Sequence, residues 1–244
     1  MMTMSRGAGW RPILLGWAVA VGLSVAAGTA HASYLSFNLN AQPGSGRISY
    51  KGGSNPLEGT DLGILTVKGI DTPSQDGEAL LVNKGTLNFK TGPSLTSAQP
   101  SVTSAATEWN FSAGGSLTVS GGIPALGIPD GTPLVTGSFS DPSFVRSLHT
   151  GPLPGTDLKV QGGAFVNIVN DKLANYFGLP LNAPHYVGGL STLFSASGNP
   201  GEAFSSEGYT SGQLTTTPVP EPSTLVVLTV AAGVGLAYRR RRSA

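Results

Sequence analysis

Two histidines, His149 and His185, and a scatter of carboxylates are the groups that the middle of this chain offers for catalysis or metal binding. The histidines stand 36 positions apart, in no HExxH or His-x-His spacing that would set two imidazoles on one metal, and no third ligand is indicated. Loop positions are the plainer reading of both. Asp61, Asp71, Asp76, Glu78 and Glu108 could supply the carboxyl pair of a glycoside hydrolase, one as proton donor and one as base or nucleophile. They fall near turns, where carboxylates are ordinarily solvated. There is no G-x-S-x-G nucleophile elbow. Asp76-Gly77 and Asp130-Gly131 lack the D-x-D-x-D density of a calcium loop and read as turns. With no cysteine in 244 residues, thiol nucleophiles, CxxC redox pairs and Cys-ligated zinc are excluded. The expectation is therefore no enzyme, no cofactor and no metal, with a secreted hydrolase as a third-ranked reading.

Sugar binding asks instead for an exposed aromatic face. Outside the first 32 residues the tryptophan is Trp109, accompanied by tyrosines such as Tyr50, Tyr186 and Tyr209. Trp109 is the candidate glycan contact. In Thr107-Glu108-Trp109-Asn110-Phe111, however, alternation puts Trp109 and Phe111 on one face, the pattern of a core pair.

The elements that must carry these residues are short strands. Leu35, Phe37 and Leu39 share one face of Tyr34–Leu39, and Leu87 and Phe89 share one face of Gly85–Lys90. Further strands are predicted over Leu62–Lys68, Thr107–Phe111, Ser116–Ser120, Leu134–Phe139, Leu158–Val169, Leu190–Ala196 and Gly212–Thr216, with Gly-Gly, Asn-Pro, Asp-Gly and Gly-Pro turns between them. One segment changes period: Asn170 to Gly178 has a capping asparagine, an apolar set in Leu173, Tyr176 and Phe177, and a terminal glycine, which predicts one or two turns of helix at an end of the sheet. The predicted fold is all-β, an antiparallel β-sandwich with one short helix; a small barrel is the alternative. Glycine contributes 35 residues and proline 18, below the bias of a disordered low-complexity chain.

The two ends differ from this body. Arg6 and Arg11 precede an apolar run from Ile13 to Leu23, and Ala30-His31-Ala32 follows as an A-x-A site. A positive, apolar and small-residue order is that of a secretory signal peptide handled by the Sec machinery, over residues 1–32; an uncleaved anchor is the alternative. At the other end Ser223 to Tyr238 gives 16 residues without a charge, followed at once by Arg239, Arg240, Arg241 and Arg242. As a helix the run spans about 24 Å, a little under the ~30 Å hydrocarbon thickness, and arginine stems can make up the shortfall by reaching to the interface. The arginines stop transfer and stay cytoplasmic. Val219-Pro220-Glu221-Pro222 must be extended, because each proline fixes its φ and biases its predecessor away from helix. A single-pass anchor on a proline-rich stalk satisfies the same physics. Between the ends, residues 33–220 hold 8 basic and 12 acidic groups, a net charge of −4 that makes nucleic acid an unsuitable partner.

Val219-Pro220-Glu221-Pro222-Ser223-Thr224, an apolar run and a closing arginine cluster together resemble the PEP-CTERM sorting signal of exported bacterial proteins, over residues 218–244. The resemblance implies recognition and removal of the tail by an exosortase, a Gram-negative-type envelope, and a role connected with exopolysaccharide or biofilm. The middle of the chain is similar to uncharacterised PEP-CTERM proteins in Gly46-Arg47-Ile48-Ser49-Tyr50, Asn55 to Thr60, Gly85 to Gly92 and Phe177-Gly178-Leu179-Pro180; that group brings no activity. Leu153-Pro154-Gly155-Thr156-Asp157 approaches a sortase LPxTG site but ends in Asp and has no apolar run behind it, so a turn before a strand is predicted there. The expectation is an exported domain, residues 33–217, anchored transiently in the inner membrane by a C-terminal helix and then delivered to the cell surface or matrix. Its predicted role is binding or structural, with a glycan-binding module as the alternative.

Overall fold

The computed structural model of the chain describes residues 32–40, 46–95, 108–147, 156–161, 165–181, 186–196 and 202–219. The expected N-terminal signal helix and C-terminal membrane helix lie outside these residues. Within them runs a 12-stranded sheet. In chain order its strands are β1 (Tyr34–Asn40), β2 (Arg47–Tyr50), β3 (Pro56–Ile70), β4 (Ala79–Pro93), β5 (Glu108–Phe111), β6 (Gly114–Ile123), β7 (Ile128–Phe139), β8 (Ser143–Ser147), β9 (Thr156–Gln161), β10 (Phe165–Val169), β11 (Tyr186–Ala196) and β12 (Phe204–Pro218). A six-residue helix, α1 (Asp171–Tyr176), lies between β10 and β11.

All the strand pairs are antiparallel, and the pairing closes on itself. β1 pairs with β3, β3 with β4, β4 with β6, β6 with β7, β7 with β10, β10 with β11, β11 with β12, and β12 back with β1. A second circuit forms at the other end from the same long strands. There β2 takes the place of β1 between β12 and β3, while β9, β8 and β5 extend from the far half of β11. An isolated bridge from Ser94 to Phe111 then returns β5 to the end of β4. The all-β antiparallel expectation with one short helix holds, and the layers expected of a sandwich are parts of one sheet wrapped round a shared core. Closure leaves few unpaired edges for another chain to join.

Period-2 alternation decides which residues fill that core. Leu35, Phe37 and Leu39 of β1 are fully buried between neighbouring strands, as are Leu57, Leu62 and Val67 of β3 and Leu87 of β4. Burial of each such side chain contributes roughly 1.5–3 kcal/mol, and the core stands without any disulfide, the chain having no cysteine. Rings pack edge to face along the interior: Phe89 on Phe139 and Phe139 on Phe165, each at 6.3 Å between centroids. At the far end Phe204 meets Tyr50, Trp109 and Phe194 at 5.8–5.9 Å. Glycine makes room for these rings. Gly59 stands directly opposite Phe89, and a Cβ added there would run into the Phe89 ring; Gly188 stands opposite Phe165 in the same relation.

The helix closes one end. Asn170 caps it, its side-chain oxygen accepting from the Lys172 N–H at 3.1 Å. Its C-terminus is a Schellman turn, with Leu179 N–H bonded to the Ala174 carbonyl at 2.9 Å, Gly178 N–H to the Asn175 carbonyl at 3.1 Å, and Gly178 at φ 69°. Leu173 and Phe177 of the predicted apolar set are buried in the core and Tyr176 is partly buried against it; Ala174, outside that set, is buried too.

Two expectations change. The predicted strand over Leu158–Val169 is two strands, β9 and β10, that lie on the same side of different halves of β11: β10 pairs with Tyr186–Gly188 and β9 with Ser191–Ala196. The strands predicted over Leu62–Lys68 and Gly85–Lys90 are interior pieces of 15-residue strands. Their alternation breaks at bulges. The register of β3 shifts between Gly59 and Leu62 and again between Ile64 and Thr66, that of β4 between Asn83 and Thr86, and the intervening Asp61 (φ 51°) and Lys84 (φ 47°) take the left-handed conformation.

Replacing Gly59 by alanine is expected to destabilise the fold by about 1–3 kcal/mol through overpacking against Phe89. In a double-mutant cycle under urea, Phe89→Leu should recover part of that loss; additive losses would place the strain elsewhere.

Candidate functional site

Antiparallel pairing of β1 with β12 sets Leu35 opposite Thr216, so the first strand begins and the last strand ends at the same end of the sheet. Ala32, at the expected signal cleavage site, and Val219, at the head of the expected sorting motif, are both exposed there. Ala30, Pro220, Glu221, Pro222 and Arg239 to Arg242 lie outside the described residues. The Ser33 hydroxyl donates to the Asp71 carbonyl at 2.6 Å, which ties the start of the body to the turn after β3. Beneath this exit end, Tyr186 pairs with Pro218, and its hydroxyl donates to the Pro180 carbonyl at 2.7 Å. Burial raises the Tyr186 pKa above its ordinary 10.0, and the negative charge of Asp171 adds to the effect. Deeper in, the Thr216 hydroxyl donates to Asn167 Oδ1 at 2.7 Å, a buried polar tie from β12 to β10.

A second feature is an open cleft of about 350 Å³ on the bulged parts of β3 and β4. Its apolar part is Ile64, Leu65 and Val82, and its polar part is Asn40, Asp61, Lys84 and Thr86. Bulges re-aim side chains, which is how two residues that break the alternation come to line one cleft. Asp61 is held by Asn88, whose Oδ1 accepts from the Asp61 N–H at 2.9 Å, while Lys84 Nζ forms an ion pair with Asp130 at 3.0 Å. The volume falls in the range of small-ligand sites. Of the expected site residues only Asp61 is here, and nothing in the alternation pattern pointed to Lys84.

The remaining candidates are dispersed. Trp109 is buried at 3% exposure with Phe204 against it at 5.9 Å, which matches the core pairing of Trp109 with Phe111 and leaves no ring face for a sugar. Tyr50 and Tyr186 are buried as well. The side chain of Tyr209 and all of His149 and His185 lie outside what is described. Glu108 forms a cross-strand ion pair with Arg146, Oε2 to Nη2 at 2.8 Å. Asp71, Asp76 and Glu78 are exposed around the β3–β4 connection. Among the described residues no three His, Asp or Glu side chains group as metal ligands, and no helix is long and apolar enough to cross a membrane. In the sortase-like segment, Thr156 and Asp157 open β9, and 153–155 fall outside the described residues.

No protein-family model matches this chain, and neither the curated proteins nor the solved structures contain a match to it.

Tyr186→Phe is expected to cost about 1 kcal/mol at neutral pH, through loss of the bond to Pro180. A tyrosine whose folded pKa is raised contributes stability that is complete below its unfolded value and lost as pH rises through the folded one. The gap between wild type and variant, from urea midpoints, should therefore narrow above pH 10.0; a gap that widens there would contradict the assignment. Glu108→Gln, at an exposed pair, is expected to change stability by less than about 1 kcal/mol.

Proposed function

We propose that this is an exported protein, sorted through its C-terminal tail to the cell surface or extracellular matrix, where its β body acts by binding or as structural material rather than as an enzyme. The observation that carries the reading is the agreement between processing signals and folded boundaries. The signal-like segment ends at Ala32, two residues before β1, and the Val219-Pro220-Glu221-Pro222 motif begins where β12 stops at Pro218. Cleavage at either place would spare every strand among the described residues. The antiparallel β1–β12 pair also turns both flanking segments toward one end of the body, compatible with two apolar segments entering the same membrane from opposite directions of the chain. In this reading the partners are the Sec export machinery, an exosortase-type enzyme, the membrane before processing, and exopolysaccharide afterward. A body with net charge −4 between 33 and 220 is no partner for nucleic acid.

The test is intact mass and cell fractionation in the host, with and without the exosortase. In normal cells the protein should begin at Ser33, end near Pro222 and leave the membrane; without the enzyme it should keep its tail and stay in the inner membrane. A retained tail in both strains would reduce the tail to a plain anchor.

The cleft favours a second reading, a glycan-binding module. Exposed Leu65 beside polar Asn40, Asp61 and Lys84 offers the mixed surface that a sugar ring requires. Retention of the wild type on the host's own exopolysaccharide, and its loss in Asp61→Ala with Lys84→Ala, is the expected result; absence of retention by the wild type retires this reading.

A further inference from the structure

We infer that the exit end of the body rests on the lipid surface through an outward apolar patch of Ile168, Leu181, Val187 and Val219. This rests on the reading of the tail as a membrane segment. Asn167 and Tyr186 face the core and stand opposite each other, so Ile168 and Val187, one step along their strands, face outward. Tyr186 is also opposite Pro218, which puts Ile168 and Val219 one step beyond that rung on either side of β11, with Val187 one step behind it. Leu181 follows Pro180, the residue bonded to the Tyr186 hydroxyl.

These side chains are 70%, 50%, 37% and 39% exposed for Ile168, Leu181, Val187 and Val219, and they are four of the seven exposed large apolar residues among those described. Scattered singly, exposed apolar residues need no explanation; gathered at one end, they mark a contact surface.

The chain itself names the occupant. Beyond Val219 lie residues 220–244, and the uncharged run starts at Ser223. Even fully extended, the four residues from Val219 to Pro222 can span at most about 14 Å. A tail inserted in a bilayer therefore holds the patch at the headgroup layer, where apolar side chains enter to about 5–10 Å. The exposed charges around this end include Lys68 and Lys172 against Asp71, Asp76, Glu78 and Asp171, so the contact rests on the apolar side chains and not on attraction to anionic lipid.

The absence of cysteine allows a single introduced thiol to be labelled without background. The full chain, carrying an environment-sensitive fluorophore at Ile168→Cys, or in a second variant at Val187→Cys, is reconstituted into phosphatidylethanolamine–phosphatidylglycerol vesicles. A control label goes at Lys51→Cys, just after β2 at the far end. The expected result is a blue shift and loss of emission to headgroup-attached nitroxide at positions 168 and 187, with water-like emission at 51. Flotation with the vesicles but water-like emission at 168 and 187 overturns the patch and leaves the membrane tail standing. Failure to float overturns both. A blue shift at 168 that is already present without lipid assigns the patch to protein contact and overturns the lipid assignment.

Discussion

The antiparallel pairing of β1 with β12 is the constraint on which the rest depends. Without it the first circuit opens between β1 and β12, leaving only the two rungs between β12 and β2 to join the last strand to β3; with it the pairing from β12 through β1 to β3 is continuous and the facing N–H and C=O groups are satisfied. Sequence separation makes this the costliest contact to form, since Leu35 must find Thr216 across nearly the whole body. What rewards it is burial: Phe37 and Leu39 on one strand and Leu214 and Thr216 on the other are all closed from solvent. The same pairing sets the start of β1 beside the end of β12, so Ser33 and Val219 lie at one end of the sheet.

Strand length and curvature follow from local departures from regularity. Four long strands, β3, β4, β11 and β12, pass through both circuits, and a sheet wrapped this tightly needs bends. Bulges at Asp61 and Lys84 supply them on β3 and β4, and glycines opposite Phe89 and Phe165 let the interior take large rings without pushing strands apart. The open cleft beside the bulges is a by-product of that curvature, and it places a carboxylate and an ammonium over apolar residues.

How much of this was legible in the sequence depends on whether a residue obeys its neighbours' period. β1 reads directly, because Leu35, Phe37 and Leu39 alternate without interruption. The helix reads directly too, since Asn170, the Leu173, Tyr176 and Phe177 set and Gly178 each signal the same element. β3 and β4 were visible only in part: the inward set passes from Leu57 to Leu62 to Val67, so a single strand looks like fragments. β2 and β8 were not predicted, although Ile48 and Tyr50 of β2 alternate inward as Trp109 and Phe111 of β5 do. Pairing order was illegible, as in β9 and β10, which neighbour different halves of β11 although one run predicted them as a single strand. The Trp109–Phe111 core pair was legible from alternation, whereas the cleft was not, since it is made of residues that break it.

Closure can be tested by a covalent bond across its seam. Ser36 and Thr215 are directly opposed on β1 and β12, and opposed antiparallel residues have Cα atoms about 4.5–5.5 Å apart, within disulfide reach. In the otherwise cysteine-free chain, Ser36→Cys with Thr215→Cys should oxidise to an intramolecular disulfide, seen as the loss of two hydrogens in intact mass and as resistance to alkylation. If both thiols of the folded, oxidant-treated protein remain free to alkylate, the first and last strands are not neighbours, and neither the closed sheet nor the shared exit end stands.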